Sequence, residues 1–365
     1  MGRKGRTLTA PRSIRPERAT HHSLGDDAPA PTTRGSSTRK AVLVPTMVGL
    51  VIGTLFVTIF LAAFHTPEPH GLPVGIVGST SQVEAVEQKL VTNSPGRVAF
   101  THYASVDAAQ DAVEHRQVYG AYIVSGDGAS TRLLYAGANG PAVTNTLQGI
   151  FGTVAQSSQA TLGSQDVAPT SSGDTRGLSI FYSGFGLVLA GYLFGLVSSQ
   201  MAPRLPLRRR LLSLTAFSTA SGITVALTAG GTGFNALPGN LAAIMAVMIL
   251  MAMAVGSATL LIMRVAGPAG TLLASLILLI LGNATSGGTL PPAYLPDWLR
   301  PLSEILPVGL GVRALQGVSY FGGDGYLRGI VLLTVWALGS VAVLWVLDRA
   351  AARRHGGPST VAAPL

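Results

Sequence analysis

Six long apolar stretches alternate with polar segments along this chain, and the longest polar segment follows the first stretch. A bilayer core of roughly 30 Å needs about 20 apolar helical residues, so each stretch is predicted to be a membrane-spanning helix. The fifth is short but extends to Gly267 and Asn283. The stretches are Ala41–Phe64, Leu178–Gln200, Leu211–Ala229, Leu241–Val265, Ala269–Leu281 and Gly329–Leu347. The pattern predicts an α-helical polytopic membrane protein with six transmembrane helices.

Basic residues are clustered before the first stretch, after the second and after the sixth. The clusters are Arg3, Lys4, Arg6, Arg12, Arg15, Arg18, Arg34, Arg39 and Lys40, then Arg204, Arg208, Arg209 and Arg210, then Arg349, Arg353 and Arg354. With six spans all three lie on one face, which the positive-inside rule assigns to the cytoplasm. Both termini are therefore expected to be cytoplasmic, with the chain in the plasma membrane. The formal net charge of +9 follows from this topology, so no nucleic-acid partner is expected.

This topology divides the chain into seven segments. They are a disordered basic cytoplasmic tail (1–40), helix 1 (41–64), an extracytoplasmic α/β domain (65–177), helices 2–5 (178–284), a broken hairpin at the outer surface (285–328), helix 6 (329–348) and a cytoplasmic tail (349–365). The first tail has few large apolar residues, which is typical of disorder. Its basic side chains also favour contact with anionic membrane lipids.

Short apolar runs and amphipathic stretches alternate in the segment 65–177, which predicts a small α/β domain. Four strands are expected, at Leu72–Val77, Arg97–Tyr103, Tyr119–Val124 and Arg132–Tyr135. A capping box at Ser81-Gln-Val-Glu84 is expected to open the first helix, and Ser105 or Asp107 to cap the second. Three apolar helix faces are predicted: Val83, Val86 and Leu90, then Val106, Ala109 and Val113, then Val143, Leu147, Ile150, Phe151 and Val154. The stretch Ser164–Arg176 is expected to be a Ser/Gly-rich linker to the second span.

The sequence shows no catalytic, cofactor-binding or metal-binding constellation. The acidic residues of the α/β domain, such as Glu84 and Asp107, are spaced for the exposed faces of helices. His102 and His115 have no Ser or Cys nucleophile at a recognised spacing. The chain is therefore not expected to be an enzyme, or to hold a cofactor or a metal. It contains no cysteine, so the domain is expected to fold without disulfides.

Energy for transport is not expected to come from this chain. It has no phosphate-binding loop of the form G-x-x-x-x-G-K-[ST]. Its predicted spans also lack Asp, Glu, Lys and His, whereas proton- and sodium-driven carriers usually place such groups in the membrane. A permease with this sequence would need a separate ATPase subunit.

The segment between the fifth and sixth stretches has the most distinctive sequence. Paired glycines and paired prolines interrupt a helix, and a tryptophan suits a membrane interface. The residues expected to form this exit hairpin are Gly287, Gly288, Pro291, Pro292, Pro296, Trp298 and Pro307. Val308–Leu315 is apolar but too short to span, and Arg313 interrupts it. The pattern predicts a broken or re-entrant hairpin, with an ordinary surface loop carrying interfacial anchors as the alternative.

This segment resembles the stretch before the last helix in ABC-2 type transporter permeases, in particular the phage infection protein (YhgE/Pip-like) membrane proteins. The matching motifs are Ser286-Gly-Gly-Thr-Leu-Pro-Pro, Leu295-Pro-Asp-Trp-Leu, Leu306-Pro307 and Ala314-Leu. In the α/β domain, Leu72-Pro-Val-Gly-Ile-Val and Val118-Tyr-Gly-Ala-Tyr-Ile-Val are similar to that family's domain between helices 1 and 2. The chain departs from it at Gly78, where relatives often have Asn or Asp, and in the shortness of the domain.

The resemblance covers about residues 41–349 and carries several implications. It implies six helices per half, a dimer or a related permease as partner, and an ATPase bound on the cytoplasmic side. It also implies outward movement of a lipid-like, drug-like or polymer substrate. The ATPase is then expected to touch the stretch before Ala41, the Arg204–Arg210 loop and the Arg264–Gly267 turn.

Small and hydroxyl residues inside the spans leave two interpretations open. Ser221, Thr224 and Thr228 form a stripe that either hydrogen-bonds neighbouring helices or lines a path. The motif Gly191-x-x-x-Gly195 favours close helix packing, within one chain or across a dimer. A second hypothesis for the whole chain is a non-transporting envelope or receptor-like membrane protein whose outer domain binds a partner. A co-purified ATPase would favour the permease.

Overall fold

The α/β domain, residues 65–177, is built on a five-stranded mixed sheet. The computed structural model describes residues 34–126 and 128–355. The strands are β1 Leu72–Val77, β2 Val98–His102, β3 Gly120–Val124, β4 Ser130–Tyr135 and β5 Thr161–Asp166, in the order β2-β1-β3-β4-β5. β1 is parallel to β2 and β3, while β4 is antiparallel to β3 and parallel to β5. The predicted small α/β domain is confirmed.

The fifth strand corrects the sequence prediction, since part of β5 falls in the stretch expected to be a linker. Its side chains are mostly exposed, so it has no apolar alternation that would mark it as a strand. It is held instead by its backbone ladder with β4, from Ser130 opposite Thr161 to Tyr135 opposite Asp166. An edge strand of this kind depends on its neighbour and leaves little trace in its own sequence.

Three helices pack on the sheet, α2 Thr80–Asn93, α3 Val106–Glu114 and α4 Pro141–Ser157. The predicted cap of α2 was wrong, because the helix is capped at Ser79 with Gln82 and not at Ser81 with Glu84. The backbone N–H of Ser79 donates to Gln82 Oε1 at 2.9 Å, while Gln82 Nε2 donates to the carbonyl of Ser125 at 2.9 Å. That second bond is tertiary and does not show in the spacing of the sequence. Ser105 is the cap of α3, since its hydroxyl accepts from the Ala108 N–H at 3.2 Å.

The apolar faces of these helices bury as predicted, except that Val106 of α3 is only half-buried. The buried residues are Val83, Val86 and Leu90 of α2, Ala109 and Val113 of α3, and Val143, Leu147, Ile150, Phe151 and Val154 of α4. Two clusters result, one on each side of the sheet, and each takes in residues from late in the chain. Leu290 and Tyr294 join the cluster of α2 and α4, and Phe321 joins that of α3. The domain core is therefore completed by the segment that follows the fifth apolar stretch.

Five helices of the described chain are long and apolar enough to cross a membrane, by length and composition. They are Ala41–Phe64 within α1 (Arg34–Phe64), α5 Ser179–Met201, α6 Leu207–Ala229, the continuous run Leu241–Ala284, and Tyr326–Arg353 within α12 (Tyr326–His355). Apart from Leu178, all six predicted stretches lie inside these five helices, consistent with a polytopic membrane protein.

The predicted tails are described only in part. Residues 34–40 belong to α1 and are helical, although they were assigned to the disordered tail. Residues 1–33 and 356–365 lie outside the described part of the chain. The contacts of the chain divide it into two units between Gly49 and Leu50, and residues 34–49 of the first are helical.

The run Leu241–Ala284 is interrupted by a turn. It consists of α7 Leu241–Ala266, a 3₁₀ turn Gly267–Ala269, α8 Gly270–Ala274, a π-helical stretch Ser275–Leu281 and α9 Gly282–Ala284. Gly267 ends α7 with φ 56° and ψ −126°, which are not helical values. A Cβ added at Gly270 would lie 2.8 Å from Met263 Cα, whereas seven residues of straight helix extend roughly 10 Å. The chain therefore reverses direction at Gly267, and the segment 270–284 packs back on the end of α7.

Helix α7 lies at the centre of the bundle and its neighbours approach it through small residues. A Cβ at Gly195 of α5 would be 2.6 Å from Thr259 Cβ, and one at Gly222 of α6 would be 2.7 Å from the Ile249 nitrogen. A Cβ added at Gly191 would likewise lie 3.1 Å from the carbonyl oxygen of Ala252. The motif Gly191-x-x-x-Gly195 thus serves packing within the chain, one of its two interpretations.

The two ends of the bundle differ in what they carry. At one end, Arg264 of α7 pairs with Asp348 of α12 at 3.5 Å, and Arg210 of α6 donates to the carbonyl of Ala202 at 2.5 Å. At the other end lies the α/β domain, where Asp174 accepts from the Ser179 N–H of α5 at 3.0 Å. The basic residues that follow the second and sixth apolar stretches therefore share one end, opposite the domain.

Three short elements connect α9 to α12. They are a 3₁₀ turn Pro292–Tyr294, α10 Arg300–Ile305 and α11 Pro307–Tyr320. Most of α11 is buried, against α5, α7 and α12. A Cβ added at Gly184 of α5 would lie 3.4 Å from Val312 Cγ2. One added at Gly329 of α12 would lie 2.7 Å from Ala314 Cβ. The segment is thus broken, as predicted, and its second helix is packed inside the bundle.

Candidate functional site

A polar cleft lies where the α/β domain meets the segment between α9 and α12; it is called the arginine cleft below. Its lining includes Arg116, Asn139, Gly287, Arg313, Gln316 and Arg328, and it encloses about 60 Å³. That space holds a few water molecules or one small polar group. Its residues come from distant parts of the chain and are positioned by several elements.

Arg116 is placed by an unusual helix end. The N–H groups of Arg116 and Gln117 donate to the carbonyls of Val113 and Ala112, at 3.0 and 2.8 Å, which is the double bond of a Schellman motif. Arg116 has a φ of 52° in this motif, at the position where glycine is usual. A non-glycine residue in this conformation is held at a cost of roughly 1–2 kcal/mol. The motif points the Arg116 side chain away from the domain.

The Arg116 side chain binds the loop between α11 and α12. Its Nε and Nη2 donate to Asp324 Oδ2 at 2.9 and 2.6 Å, and its side chain is only 8% exposed. The guanidinium also lies 4.9 Å from the ring centre of Phe321, a cation–π distance. Arg313 of α11 approaches the same carboxylate, from Nη2 to Oδ1 at 3.3 Å. Asp324 therefore joins the domain to the end of α11.

These contacts shift the pKa values of the groups involved. Burial lowers the pKa of the Arg116 guanidinium, although Asp324 opposes the shift, and an arginine stays charged throughout. Burial acts to raise the pKa of Asp324, but the charges of Arg116 and Arg313 prevail and lower it. Burial raises the pKa of the Tyr119 hydroxyl, with Arg116 opposing. At neutral pH the cleft is therefore lined by charged arginines and a neutral Tyr119, and the ionised Asp324 pairs with two of those arginines.

A second contact connects Arg116 to the predicted exit hairpin. Arg116 Nη1 donates to Gln316 Oε1 at 2.6 Å, and Gln316 Nε2 donates to the carbonyl of Gly287 at 3.3 Å. Gly287 has a φ of 76°, the left-handed region that favours glycine. A chain of hydrogen bonds thus runs from the α/β domain through α11 to the paired glycines.

The paired glycines and prolines lie close to the cleft. Gly287, Pro291 and Pro292 line it, and a Cβ at Gly288 would lie 2.9 Å from Phe181 Cδ2 of α5. Tyr294, after the prolines, donates to the carbonyl of Ala142 at 3.4 Å. The hairpin is therefore packed between α5 and the domain, which is how an irregular backbone is accommodated next to a membrane.

The other predicted hairpin residues lie further along the same segment. Pro296 is half-buried and Pro307 is buried at the first turn of α11. Trp298 is 62% exposed, so it is free to contact a membrane interface. The structure thus brings Gly287, Pro291 and Pro292 into the cleft and leaves Trp298 outside it.

Among the described residues that line the cleft, Asn139 has a buried side-chain group without a hydrogen-bond partner. It ends the 3₁₀ turn Gly137–Asn139, is 9% exposed, and lines both the arginine cleft and a neighbouring cavity. Its Nδ2 is buried and has no hydrogen-bond partner among the described residues. An unpaired buried donor costs roughly 1–3 kcal/mol, so such a group calls for an explanation.

The hydroxyl stripe of α6 is placed differently. Ser221 is half-buried and donates to the carbonyl of Ser218 at 3.3 Å, within its own helix. Thr224 is exposed, and the exposed Thr228 donates to the Thr224 carbonyl at 2.7 Å. Neither of these two bonds reaches another helix, and both interpretations of the stripe stay predictions.

Sequence reasoning missed the central residues of the cleft. Arg116, Asn139 and Asp324 were not singled out, and Arg313 was noted only as an interruption of an apolar run. A local signal did exist for Asp324, which lies in the run Gly322-Gly-Asp-Gly325 between two apolar helices. A lone charge in a glycine-rich turn next to an apolar helix suggests a specific partner.

Comparison with known proteins identifies no relative of this chain. No family model matches the chain, and neither the curated proteins nor the solved structures give a match.

Proposed function

We propose that this chain is the membrane permease subunit of an ABC-2 type exporter, which moves a lipid-like, drug-like or polymer substrate outward with a separate ATPase subunit. The observation that carries the proposal is α11, Pro307–Tyr320, an apolar helix buried in the bundle. Its 14 residues extend about 21 Å, less than the roughly 30 Å of a bilayer core. A buried helix that is too short to span, next to segments of irregular backbone, is a feature of membrane proteins that move solutes.

The proposal includes six spans and a re-entrant segment. The reversal at Gly267 supports the separation of α7 from the segment 267–284, which brings the span count from five to six. Counted from the turn, that segment has 18 residues and extends about 27 Å, close to the roughly 30 Å of a bilayer core. With six spans, α10 and α11 are a re-entrant hairpin that begins and ends on the side of the α/β domain. The segment 285–328 is linked to that domain through Arg116 and Tyr294, which supports a role at the exit of a path.

The orientation in the proposal places the basic end of the bundle in the cytoplasm. The pairing of Arg264 with Asp348 supports it, because this pair brings the ends of α7 and α12 together. The ATPase would then dock on the Arg204–Arg210 loop and the Arg264–Gly267 turn. The chain itself contributes no enzymatic step, and its partners are the ATPase, a second permease copy or relative, and membrane lipids.

Single-cysteine labelling tests the orientation cleanly, because the natural chain has no cysteine. A membrane-impermeant maleimide applied to intact cells should label Ser130→Cys, at the start of β4, and should leave Ser23→Cys and Ser359→Cys unlabelled. Permeabilised cells, in which all three positions react, serve as the control. Labelling of Ser23→Cys in intact cells would overturn the topology and the proposed side of ATPase binding.

Affinity purification in mild detergent tests the function. The chain should bring down an ABC ATPase, and ATP hydrolysis should appear only in the complex. The double variant Arg208→Glu/Arg209→Glu should weaken recovery of the ATPase, whereas the exposed change Arg132→Glu in the α/β domain should not. Transport by the chain alone, driven by a proton gradient in vesicles, would contradict the proposal. Recovery of an envelope polymer or protein without an ATPase would favour the receptor-like alternative.

A further inference from the structure

We propose that the arginine cleft is a binding site for a single acidic group, a phosphate or carboxylate, carried by a lipid headgroup or present as a free anion. The proposal goes beyond transport and does not depend on it. It rests on the unpaired amide of Asn139, on the charge of the cleft and on its size.

The Asn139 amide gives the first argument. Its Nδ2 is a buried donor without an acceptor, at a residue that lines the cleft. The backbone holds it there, because the Asn139 N–H donates to the Ala136 carbonyl at 3.0 Å and Gly140 follows with a φ of 93°. A buried donor without a partner, on a residue that lines a polar cavity, lacks the acceptor oxygen that a bound acidic group would supply.

The charge of the cleft gives the second argument. Arg116, Arg313 and Arg328 contribute three positive charges, and Glu304 and Asp324 contribute two negative charges. Three minus two leaves a net charge of +1 around the cavity. One further anion would balance the charge, and arginine is the side chain best suited to bind carboxylates and phosphates.

The available space gives the third argument. About 60 Å³ is enough for one acidic group but not for a whole lipid or drug. The cleft is bounded by the α/β domain, the paired glycines and the first turn of α12, so it lies beside the end of a predicted span. A lipid headgroup and a free anion would both reach a site in this place.

Phosphate binding to the purified full-length chain is the first measurement. Isothermal titration at fixed ionic strength, with inorganic phosphate as the probe, should show saturable binding. In parallel, native mass spectrometry of chain released from nanodiscs should show retention of phosphatidylglycerol over phosphatidylcholine if the acidic group comes from a lipid. Binding of phosphate alone identifies a free anion, and retention of the anionic lipid alone identifies a headgroup. Absence of both overturns the proposal.

Variants of Asn139 distinguish a ligand donor from an accidental orphan. Asn139→Asp replaces the donor with a negative charge at the same size and should weaken binding about tenfold or more. The same change at the exposed Asn145 of α4, outside the cleft, is the matched control and should bind as the natural chain does. Equal binding by both variants would overturn the proposal.

Arg328→Gln provides an independent variant that should fold normally, because the pair that Arg328 forms with Glu304 is about half exposed. It should weaken binding about tenfold, while Arg132→Gln, an exposed arginine of β4, should leave it unchanged. Size-exclusion chromatography and thermal unfolding verify the fold of each variant. An equal loss with Arg132→Gln would indicate a general effect of net charge and would also overturn the proposal.

Discussion

The α/β domain and the helix bundle are packed in opposite ways. In the domain, large apolar side chains such as Phe151 and Tyr122 are inside, and Val91 is its only strongly exposed large apolar residue among those described. In the bundle, large apolar side chains such as Phe185 and Leu193 face outward, while Gly195, Ser257 and Thr259 lie inside. The difference shows that the two regions are adapted to different solvents.

The physical cause is the driving force in each solvent. Apolar surface is unfavourable in water, so burying large side chains stabilises the folded domain. Lipid tails do not expel apolar surface, so helices in a membrane associate through close van der Waals packing and hydrogen bonds. Small residues permit that packing. A glycine at a helix contact in the bundle therefore matters more for stability than a phenylalanine on the lipid-facing surface.

Truncation of a core aromatic residue tests this comparison with the largest effect. Phe151→Ala should lower the free energy of unfolding of the domain by about 3–5 kcal/mol, because Phe151 is fully buried and stacks on Tyr122 at 4.6 Å. The matched change Phe185→Ala in α5, whose side chain is 40% exposed, should have little effect in a bilayer. Proteolysis of the full chain across a urea series measures both. A larger loss for Phe185→Ala would reverse the comparison.

The link between the two regions should respond next. Arg116→Gln should destabilise the docking of the domain by about 3 kcal/mol, the low end of the range for one partner of a buried pair. Hydrogen exchange of α3 and of residues 321–325 measures the loss. Arg328→Gln, whose pair with Glu304 is about half exposed, is the control and should cost at most about 1 kcal/mol. A double-mutant cycle with Asp324→Asn that shows no coupling would contradict the link.

Helix packing in the bundle should show a smaller effect. Gly195→Val should cost about 1–3 kcal/mol, because its Cβ would meet Thr259 Cβ at 2.6 Å and α5 must move away from α7. Gly186→Val on the same helix is the control, since a Cβ there meets no described atom within 4 Å. Thermal unfolding in detergent compares the two. Equal melting temperatures would mean that α5 does not need its small residues.

The pH dependence of the link should be the smallest effect. The folded-state pKa of Asp324 is lowered, so its contribution to stability is fully present above the unfolded pKa near 3.8. That contribution is lost as the pH falls through the lower folded pKa. Hydrogen exchange of residues 321–325 between pH 6 and acid should therefore show loosening below about pH 4. Asp324→Asn should remove this dependence, and an unchanged profile in that variant would assign it to another group.

Much of the fold could be predicted because the signals are local. The length of each apolar stretch can be compared directly with the thickness of the bilayer core. The apolar stripes of α2 and α4 indicate which face of each helix is buried. The failures, by contrast, had non-local causes. β5 is an exposed edge strand held by its neighbour, and the cap at Ser79 depends on the bond from Gln82 to Ser125.

The sequence by itself determined the apolar helices, the α/β class of the domain and the broken character of the segment 285–328. Only the tertiary structure decided the reversal at Gly267, the burial of α11 and the arginine cleft. Arg116 and Asp324 are 208 residues apart, and the sequence around neither residue indicates that it pairs with the other. Hydrophobic periodicity acts over a few turns of chain, whereas a charge pair across 208 residues forms only when packing brings its two elements together.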